Sequence, residues 1–208
     1  MSVVVALAGC AVVTAAGWGV EMVGLPQPTR ADRLVASAEG WLRDYPLTRV
    51  TFRRAGAPAI DGICLRTSVG SFARSRLAVT DGPLFRVSTG HVRRVRGRAL
   101  PGFPALLASR IGCTATLLQP VLAAAVARVH VEADQAVAAG EPATALHFPP
   151  YKGQRLVLYV SPQSGRPLLA VESLKGVGLA ATLQLKQVGG AALARLRSEL
   201  GMRREPQR

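Results

Sequence analysis

The sequence has few aromatic residues and few acidic ones. Aromatic residues make up 5% and charged residues 18% of the 208 residues, whereas hydrophobic residues make up 49%. Only 12 Asp and Glu stand against 26 Lys and Arg, so the formal net charge is +14. This excess favours anionic partners such as phospholipid headgroups, nucleic acid or an acidic protein. A general arginine bias explains it equally well, because the basic residues are spread along the whole chain.

Motifs for catalysis and for cofactor binding are also missing. The chain contains no HExxH, GxSxG, Walker A or GxGxxG segment in its proper context. His91, His130 and His147 each fall in a predicted strand, with no acidic partner nearby in the sequence. The carboxylates, Glu172 among them, are separated and mostly lie beside predicted turns. We therefore expect a binding protein and not an enzyme, with no metal site and no cofactor.

The three cysteines do not form a metal-binding pattern. None belongs to a CxxC motif or a Cys/His cluster, which argues against a zinc or thioredoxin-type site. Cys10 falls in the N-terminal segment, so Cys64 and Cys113 are the only pair in the body of the chain. In an oxidising compartment these two could form a disulfide. The alternative is a pair of buried free thiols.

Residues 1–25 form an apolar segment that we interpret as a signal sequence, a lipoprotein signal or a transmembrane anchor. No charge occurs between Ser2 and Val20, a length at the lower edge of what spans a bilayer. Leu7-Ala8-Gly9-Cys10 resembles the lipobox of bacterial lipoproteins, which makes Cys10 a candidate for lipidation. None of the nine preceding residues is basic, unlike the start of a signal peptide. Either the true start lies upstream of Met1 or the segment is an uncleaved anchor.

The rest of the chain predicts one α+β domain over residues 31–200, preceded by a linker at 26–30 and followed by a flexible basic tail at 201–208. An amphipathic helix is predicted over 31–44, and Asp81-Gly82 is a strong hairpin signal. Period-two segments predict strands, and uninterrupted Ala/Leu-rich segments predict helices. The predicted strands are 47–54, 63–67, 76–80, 84–88, 91–96, 127–133, 135–138, 143–148, 154–160, 167–173 and 179–188, and the further helices are 104–110, 117–127 and 191–200.

Three turn motifs resemble those of a known family. They are the segments 77–82 (LAVTDG), 137–150 (VAAGEPATALHFPP) and 158–168 (LYVSPQSGRPL). Each is similar to a hairpin of the LolA-like envelope proteins, which include the LolA and LolB lipoprotein carriers and the RseB-type regulators. The resemblance covers roughly residues 31–188 in the order of elements. It implies a curved antiparallel β-sheet, a half-barrel, with helices packed on its concave face and an apolar cavity that takes acyl chains.

The resemblance also implies ligands and partners. The expected ligands are lipid or lipoprotein acyl chains, and an alternative role is a regulatory or scaffold domain that binds another envelope protein. Ordinary core packing is the competing interpretation of every candidate cavity residue. The candidates are Leu106, Leu107 and Leu118 from the helical lid, with Leu156, Leu158, Leu183 and Leu185 from the sheet.

A basic stretch gives a third hypothesis, a peripheral protein on anionic membrane or nucleic acid. Arg93, Arg94, Arg96 and Arg98 are candidates for contact with an anionic surface. Valines, not aromatic residues, separate them, which argues against nucleic-acid binding. We expect a membrane-anchored protein on the periplasmic or other extracytoplasmic side of a bacterial envelope, although Arg30 and Arg33, just after the apolar segment, favour a cytoplasmic body.

Overall fold

A computed structural model of the chain describes residues 28–68, 71–88, 91–97, 110–127 and 130–200. These residues form three helices and ten strands. The helices are α1 (Arg30–Asp44), α2 (Thr114–Ala127) and α3 (Gly190–Glu199). The strands are β1 (Leu47–Arg54), β2 (Ile60–Ser68), β3 (Ser71–Val79), β4 (Leu84–Ser88), β5 (His91–Arg96), β6 (Glu132–Ala138), β7 (Glu141–Tyr151), β8 (Gln154–Val160), β9 (Pro167–Leu174) and β10 (Leu179–Lys186).

All ten strands belong to one antiparallel sheet in the order β5-β4-β3-β2-β1-β10-β9-β8-β7-β6. Neighbours in the sheet are neighbours in the chain except at the centre, where β1 pairs with β10 from Leu47–Lys186 to Arg54–Leu179. The helical insertion that contains α2 lies between β5 and β6, the two outer strands. The open, curled sheet with helices on its concave face confirms the predicted α+β half-barrel.

The first helix begins at a capping box. The Thr29 hydroxyl accepts a hydrogen bond from the Asp32 backbone N–H, and the Asp32 carboxylate accepts one from the Thr29 N–H. The hydrogen bonds that the Thr29 hydroxyl and the Thr29 N–H donate to the Asp32 carboxylate hold the pKa of Asp32 below its usual value. Leu34, Val35, Ala38 and Leu42 then recur on one face and are buried against the sheet and α2.

The two faces of the sheet carry separate cores. On the concave face, alternate strand residues such as Val50, Phe52 and Leu77 pack with α1 and α2. On the convex face, Leu47, Leu65 and Leu84 pack with Leu200 and the apolar side of α3. The terminal helix therefore lies on the opposite face of the sheet from the other two. None of the helices in the described ranges is both long and apolar enough to cross a bilayer.

One predicted strand is wrong. Residues 127–133 were expected to be a strand, but Ala127 is the last residue of α2 and β6 begins at Glu132. The prediction followed the alternation of polar and apolar residues in the sequence of 127–133 (ARVHVEA), but Ala127 still belongs to the helix that was predicted over 117–127. His130 therefore lies outside any strand, and the separately predicted strand 135–138 is the end of β6.

Candidate functional site under helix α2

Four predicted cavity residues meet beneath α2. Leu118 on α2, Leu156 and Leu158 on β8, and Leu183 on β10 are each at most 1% exposed and belong to the concave core. Leu185 is partly exposed and packs against the same core. These side chains thus form one packed apolar layer in this structure. Leu106 and Leu107 lie outside the described residues, so their place in this layer stays a prediction.

Helix α2 has no charged residue along its 14 positions. Residues 121–127 (VLAAAVA) have no polar side chain at all, so only apolar contacts hold them. Val121 is fully buried, whereas Val126 is 85% exposed. Pro120 separates this distal half from the first turn.

Gln154 supplies the hydrogen-bond donor that Pro120 removes from α2. Proline has no backbone N–H, so the carbonyl oxygen of Thr116, four residues earlier, loses its helical donor. The Gln154 Nε2 atom donates to that oxygen at 3.2 Å. The same amide nitrogen donates to Glu172 Oε1 at 2.6 Å. The first turn of α2 is therefore bonded to the sheet at the position where the helix is interrupted.

Glu172 is a fully buried carboxyl on the concave face of β9. Its Oε2 atom accepts a hydrogen bond from the Gly112 N–H at 2.6 Å and lies 3.2 Å from the Thr116 hydroxyl. Burial raises the pKa of Glu172 to about 8, because the charged form loses its hydration. The hydrogen bonds from Gly112, Thr116 and Gln154 act in the opposite direction and favour the ionised form.

The proton count around Thr116 agrees with a neutral carboxyl. The Thr116 hydroxyl has one proton, and its 2.6 Å contact to the Cys113 carbonyl oxygen is the short one. The same hydroxyl accepts from the Cys113 N–H at 3.1 Å. With the hydroxyl proton directed to Cys113, the contact between the Thr116 hydroxyl and Glu172 Oε2 is a hydrogen bond only if the carboxyl carries the proton and donates it. The raised pKa of Glu172 therefore favours the protonated carboxyl at neutral pH.

A disulfide completes the attachment. Cys64 on β2 is bonded to Cys113, the residue before α2, with an S–S distance of 1.99 Å and Cα atoms 5.4 Å apart. This is one of the two states that the sequence left open. We call Cys64, Cys113, Thr116, Gln154 and Glu172 the α2 anchor, because together they hold the first turn of α2 on the sheet.

The segment before α2 also approaches the sheet closely. Gly112 has a φ of +98°, and a Cβ atom there would lie 2.6 Å from Cζ of Phe52. Only glycine fits without a shift of that ring. The Thr48 hydroxyl also donates to the Gly112 carbonyl oxygen at 3.5 Å. The backbone is therefore fixed from both sides at the entrance to α2.

The predicted basic stretch does not form a single surface. Arg93 lies opposite Arg86, and Arg94 lies opposite the concave-core residue Phe85, so the two arginines are on different faces of β5. Arg96 donates to the Glu199 carbonyl oxygen at the end of α3 at 2.8 Å. Arg98 and the candidate lipidation residue Cys10 lie outside the described residues.

The structure gives one histidine an acidic neighbour that the sequence does not show. His147 on β7 has its Nε2 atom 3.3 Å from Asp134 Oδ2 on the paired strand β6. Both side chains are substantially exposed. Across the described ranges, His, Cys, Asp and Glu residues form no group of three or more that could hold a metal ion.

The part that Glu172 plays in the α2 anchor was not predicted from the sequence. One signal was present: Glu172 alternates with Ala170 and Leu174, so it shares their inward face in an otherwise apolar strand. An inward carboxylate needs buried donors. Its donors come from Gly112, Thr116 and Gln154, which are distant in sequence, so the pattern alone could not have identified them.

Comparisons with known proteins give matches to solved structures only. No protein-family model and no curated protein matches the sequence. A chain in the complex structure of Pseudomonas aeruginosa MucA/MucB is 18% identical, with a TM-score of 0.42, and the alignment covers 79% of this chain and 60% of that one. LprF from Mycobacterium bovis is 11% identical, with a TM-score of 0.40 and coverages of 78% and 95%. The LolA superfamily protein NE2245 from Nitrosomonas europaea is 10% identical, with a TM-score of 0.38 and coverages of 76% and 91%.

The described residues follow the predicted order of elements. A first helix, an open curved antiparallel sheet and a helical insertion after the fifth strand follow each other in the order that the turn motifs predicted. The chain spans about 60% of the length of the MucA/MucB chain that it matches.

Proposed function

We propose that this chain is a non-enzymatic envelope protein whose concave face binds an acyl chain of a lipid or a lipidated protein beneath α2. The observation that carries the proposal is the construction of α2. It is an uncharged helix that covers an apolar sheet face and is fixed by the α2 anchor at its first turn only. Such a helix can act as a lid whose distal half, residues 121–127, opens.

The energetics of this exchange are adequate. The described layer of Leu118, Leu156, Leu158 and Leu183 is packed, so a ligand enters only when the distal half of α2 moves away. An acyl chain then replaces helix–sheet contacts with contacts of the same apolar kind. Burying each methylene stabilises a complex by about 0.8 kcal/mol, so a chain of about 16 carbons supplies on the order of 10 kcal/mol before entropic costs.

The Cys64–Cys113 disulfide supports a position outside the cytoplasm, because such bonds persist in oxidising compartments. We extend the proposal to residues 1–25 as the export signal or membrane anchor, with Cys10 as the lipidated residue if the segment is a lipoprotein signal. Intact-mass spectrometry of the protein purified from membranes tests this part. An acylated Cys10 would be the first residue after cleavage, and an unmodified full-length chain contradicts the lipoprotein form.

Acyl-chain binding is tested with a series of lysophosphatidylcholines that differ only in chain length. The affinity should rise about fourfold for each methylene added, because 0.8 kcal/mol corresponds to that factor. The headgroup stays constant, so electrostatic attraction cannot produce the trend. Isothermal titration calorimetry below the critical micelle concentration gives the affinities. Affinities that do not change with chain length, or no saturable binding, contradict the proposal.

A pair of alanine variants locates the binding surface. Ala170→Leu adds volume to the concave face of β9, where Ala170 is fully buried, and should weaken acyl-chain binding at least tenfold. Ala180→Leu adds the same volume to the other face, on β10, and should leave binding unchanged. Circular dichroism establishes that both variants are folded. Equal affinities of the two folded variants place the ligand elsewhere.

The second candidate function is a scaffold that binds another envelope protein through a sheet edge. No strand in the described ranges pairs with the outer side of β5 or β6, and Val137 on β6 is 74% exposed. Unpaired edge strands accept a partner strand through their backbone groups. Binding of such a partner should slow amide hydrogen exchange in β6 and persist after extraction of lipid. Unchanged exchange in both edge strands contradicts this function.

A further inference from the structure

A cleft lies outside the concave core. It is a cleft of about 540 Å³ between the end of α1, the start of α3 and strand β2. Its lining includes the side chains of Arg43, Arg66 and Arg197. Its volume is within the range of about 300–1,000 Å³ that is typical of small-molecule sites. We propose that this cleft binds a phosphate group, either of a lipid headgroup or of a free phosphate compound.

The charges of the cleft favour an anion. Among the described residues, Asp44 is the single carboxylate in the lining, against three guanidinium groups. Arg43 is already paired with Glu39 at 2.6 Å, so its charge is partly balanced. Arg66, which is only 6% exposed and whose charge interacts with that of Asp44, and Arg197 add further positive charge. Burial lowers the pKa of Arg66, Asp44 acts against this, and the charge of Arg197 lowers the pKa further.

The position of Arg197 points to the same ligand. Its Nε atom is buried and has no hydrogen-bond partner among the described residues. A buried donor without an acceptor costs about 1–3 kcal/mol, more when it is charged. A phosphate oxygen in the cleft would supply that acceptor and would reduce the repulsion between Arg197 and Arg66. A neutral oxygen could accept the hydrogen bond but would not reduce the repulsion, and a cation would do neither.

The start of α3 adds a further attraction. Gly189, the N-cap of this ten-residue helix, also lines the cleft, and no side chain caps the helix. The first backbone N–H groups of a helix and its dipole attract anions, and phosphate in particular. A Cβ atom at Gly189 would meet nothing within 4 Å, so the space next to these groups is open.

Phosphate is the anion that matches these donors. Guanidinium groups bind phosphate oxygens through pairs of parallel hydrogen bonds, and several arginines can share one tetrahedral group. The cleft is larger than a single phosphate ion, so it leaves room for an attached glycerol or similar group. Pro46, Val188 and Leu193 supply apolar lining for that group. This site does not depend on the acyl-chain proposal, because it uses neither α2 nor the concave core.

The first test measures binding of inorganic phosphate and of glycerol 3-phosphate by isothermal titration calorimetry at constant ionic strength. The full chain should bind one equivalent, and Arg197→Gln should weaken binding at least tenfold. Arg195→Gln is the matched control, since Arg195 is on the same helix but is 83% exposed and paired with Glu199. It removes the same charge and should change the affinity less than twofold.

A glycine variant separates binding from folding. Gly189→Asp introduces a side-chain cap, which should raise the midpoint of thermal unfolding. The same carboxylate enters the cleft next to Arg197 and should weaken phosphate binding. Opposite changes in stability and affinity support the site. The proposed site is wrong if the unfolding midpoint and the phosphate affinity of Gly189→Asp rise together. It is also wrong if phosphate binding is unchanged.

Vesicle flotation identifies the source of the phosphate. One set of vesicles contains phosphatidylglycerol in phosphatidylcholine, and the other contains phosphatidylcholine alone. The cleft binds a lipid headgroup if the protein floats with the phosphatidylglycerol vesicles, Arg197→Gln does not float with them, and Arg195→Gln still does. The cleft binds a free phosphate compound if the soluble compounds bind saturably, Arg197→Gln weakens this binding more than Arg195→Gln does, and no flotation occurs. No binding in either assay, or equal losses in the two arginine variants, would overturn the proposal.

Discussion

Gln154 on β8 donates a hydrogen bond to the carbonyl oxygen of Thr116 on α2, the acceptor that lacks a helical donor because residue 120 is proline. A sheet residue thus completes the hydrogen bonding of a helix that rests on it. The same Gln154 amide also donates to the buried carboxyl of Glu172, so it links that carboxyl to the first turn of α2. The first turn of α2 is therefore held firmly, while the part beyond Pro120 depends on apolar packing.

Replacing Gln154 by Leu should destabilise the protein by about 2–4 kcal/mol, because it removes the buried donor to the Thr116 carbonyl oxygen and to Glu172 Oε1. Pro120→Ala should recover part of this loss in the Gln154→Leu background, since an alanine at position 120 would supply the missing helical N–H. Urea unfolding of the two single variants and the double variant gives the coupling energy. Gln184→Leu on the exposed side of β10 is the control and should have little effect. Additive changes would show that Gln154 does not replace the helical donor.

The raised pKa of Glu172 predicts a pH-dependent stability. The carboxyl is protonated up to about pH 8 in the folded protein but ionises near pH 4.5 when unfolded, so unfolding between these values releases a proton. The free energy of unfolding should then fall with rising pH, by at most about 1.4 kcal/mol per pH unit, and level off above pH 8. Below pH 4.5 this contribution is fully present.

Glu172→Gln isolates this effect, because it removes the titrating group from the buried site. The variant should be less stable than the parent at pH 5, since one amide N–H then faces the donor at Gly112 or at Gln154. Its free energy of unfolding should no longer fall with pH between pH 4.5 and pH 8. Urea unfolding at several pH values measures both quantities. The same slope in the parent and the variant would mean that Glu172 is ionised in the folded protein.

The sequence predicted the sheet well because turn chemistry and period-two alternation are local. The bounds of β1, β4, β5 and β8 agree with the predicted segments, and Asp81 has the positive φ of 53° that its turn requires. The strand predicted over 127–133 was misplaced because the sequence of this segment (ARVHVEA) alternates like a strand, although its first residue ends α2 and β6 begins only at Glu132. Propensity alone does not separate the end of a helix from a buried strand in such a run.

The candidate site was predicted only in its apolar part. The burial of Leu156, Leu158 and Leu183 follows from alternation along single strands, which a sequence displays directly. The α2 anchor combines residues from α2, two strands and a disulfide, and only the folded chain brings them together. The cleft beside α3 was also not predicted, since the position of a terminal helix on the convex face leaves no local signal.

Reduction of the Cys64–Cys113 disulfide should lower the free energy of unfolding by about 4 kcal/mol. This value follows from the loss of a covalent loop closed over a separation of 49 residues. Urea unfolding with and without dithiothreitol measures the change. A Cys64→Ala/Cys113→Ala variant should have the stability of the reduced protein and no response to dithiothreitol. A response to dithiothreitol in that variant would show that another thiol is responsible.

Gly112 and Gly176 offer a matched test of how closely the α2 entrance approaches the sheet. Both have a positive φ, +98° and +83°, so alanine at either position should destabilise the protein by about 1 kcal/mol through backbone strain alone. At Gly176 a Cβ atom meets nothing within 4 Å, whereas at Gly112 it lies 2.6 Å from the Phe52 ring.

Gly112→Ala should therefore destabilise the protein by about 2–4 kcal/mol, clearly more than Gly176→Ala. Phe52→Leu removes the contacting ring atoms and should reduce the additional loss when it is combined with Gly112→Ala. Urea unfolding of the four variants gives the coupling between positions 52 and 112. Equal losses for the two glycine variants would show that the Phe52 ring yields to the new methyl group, so that its packing does not restrict the segment before α2.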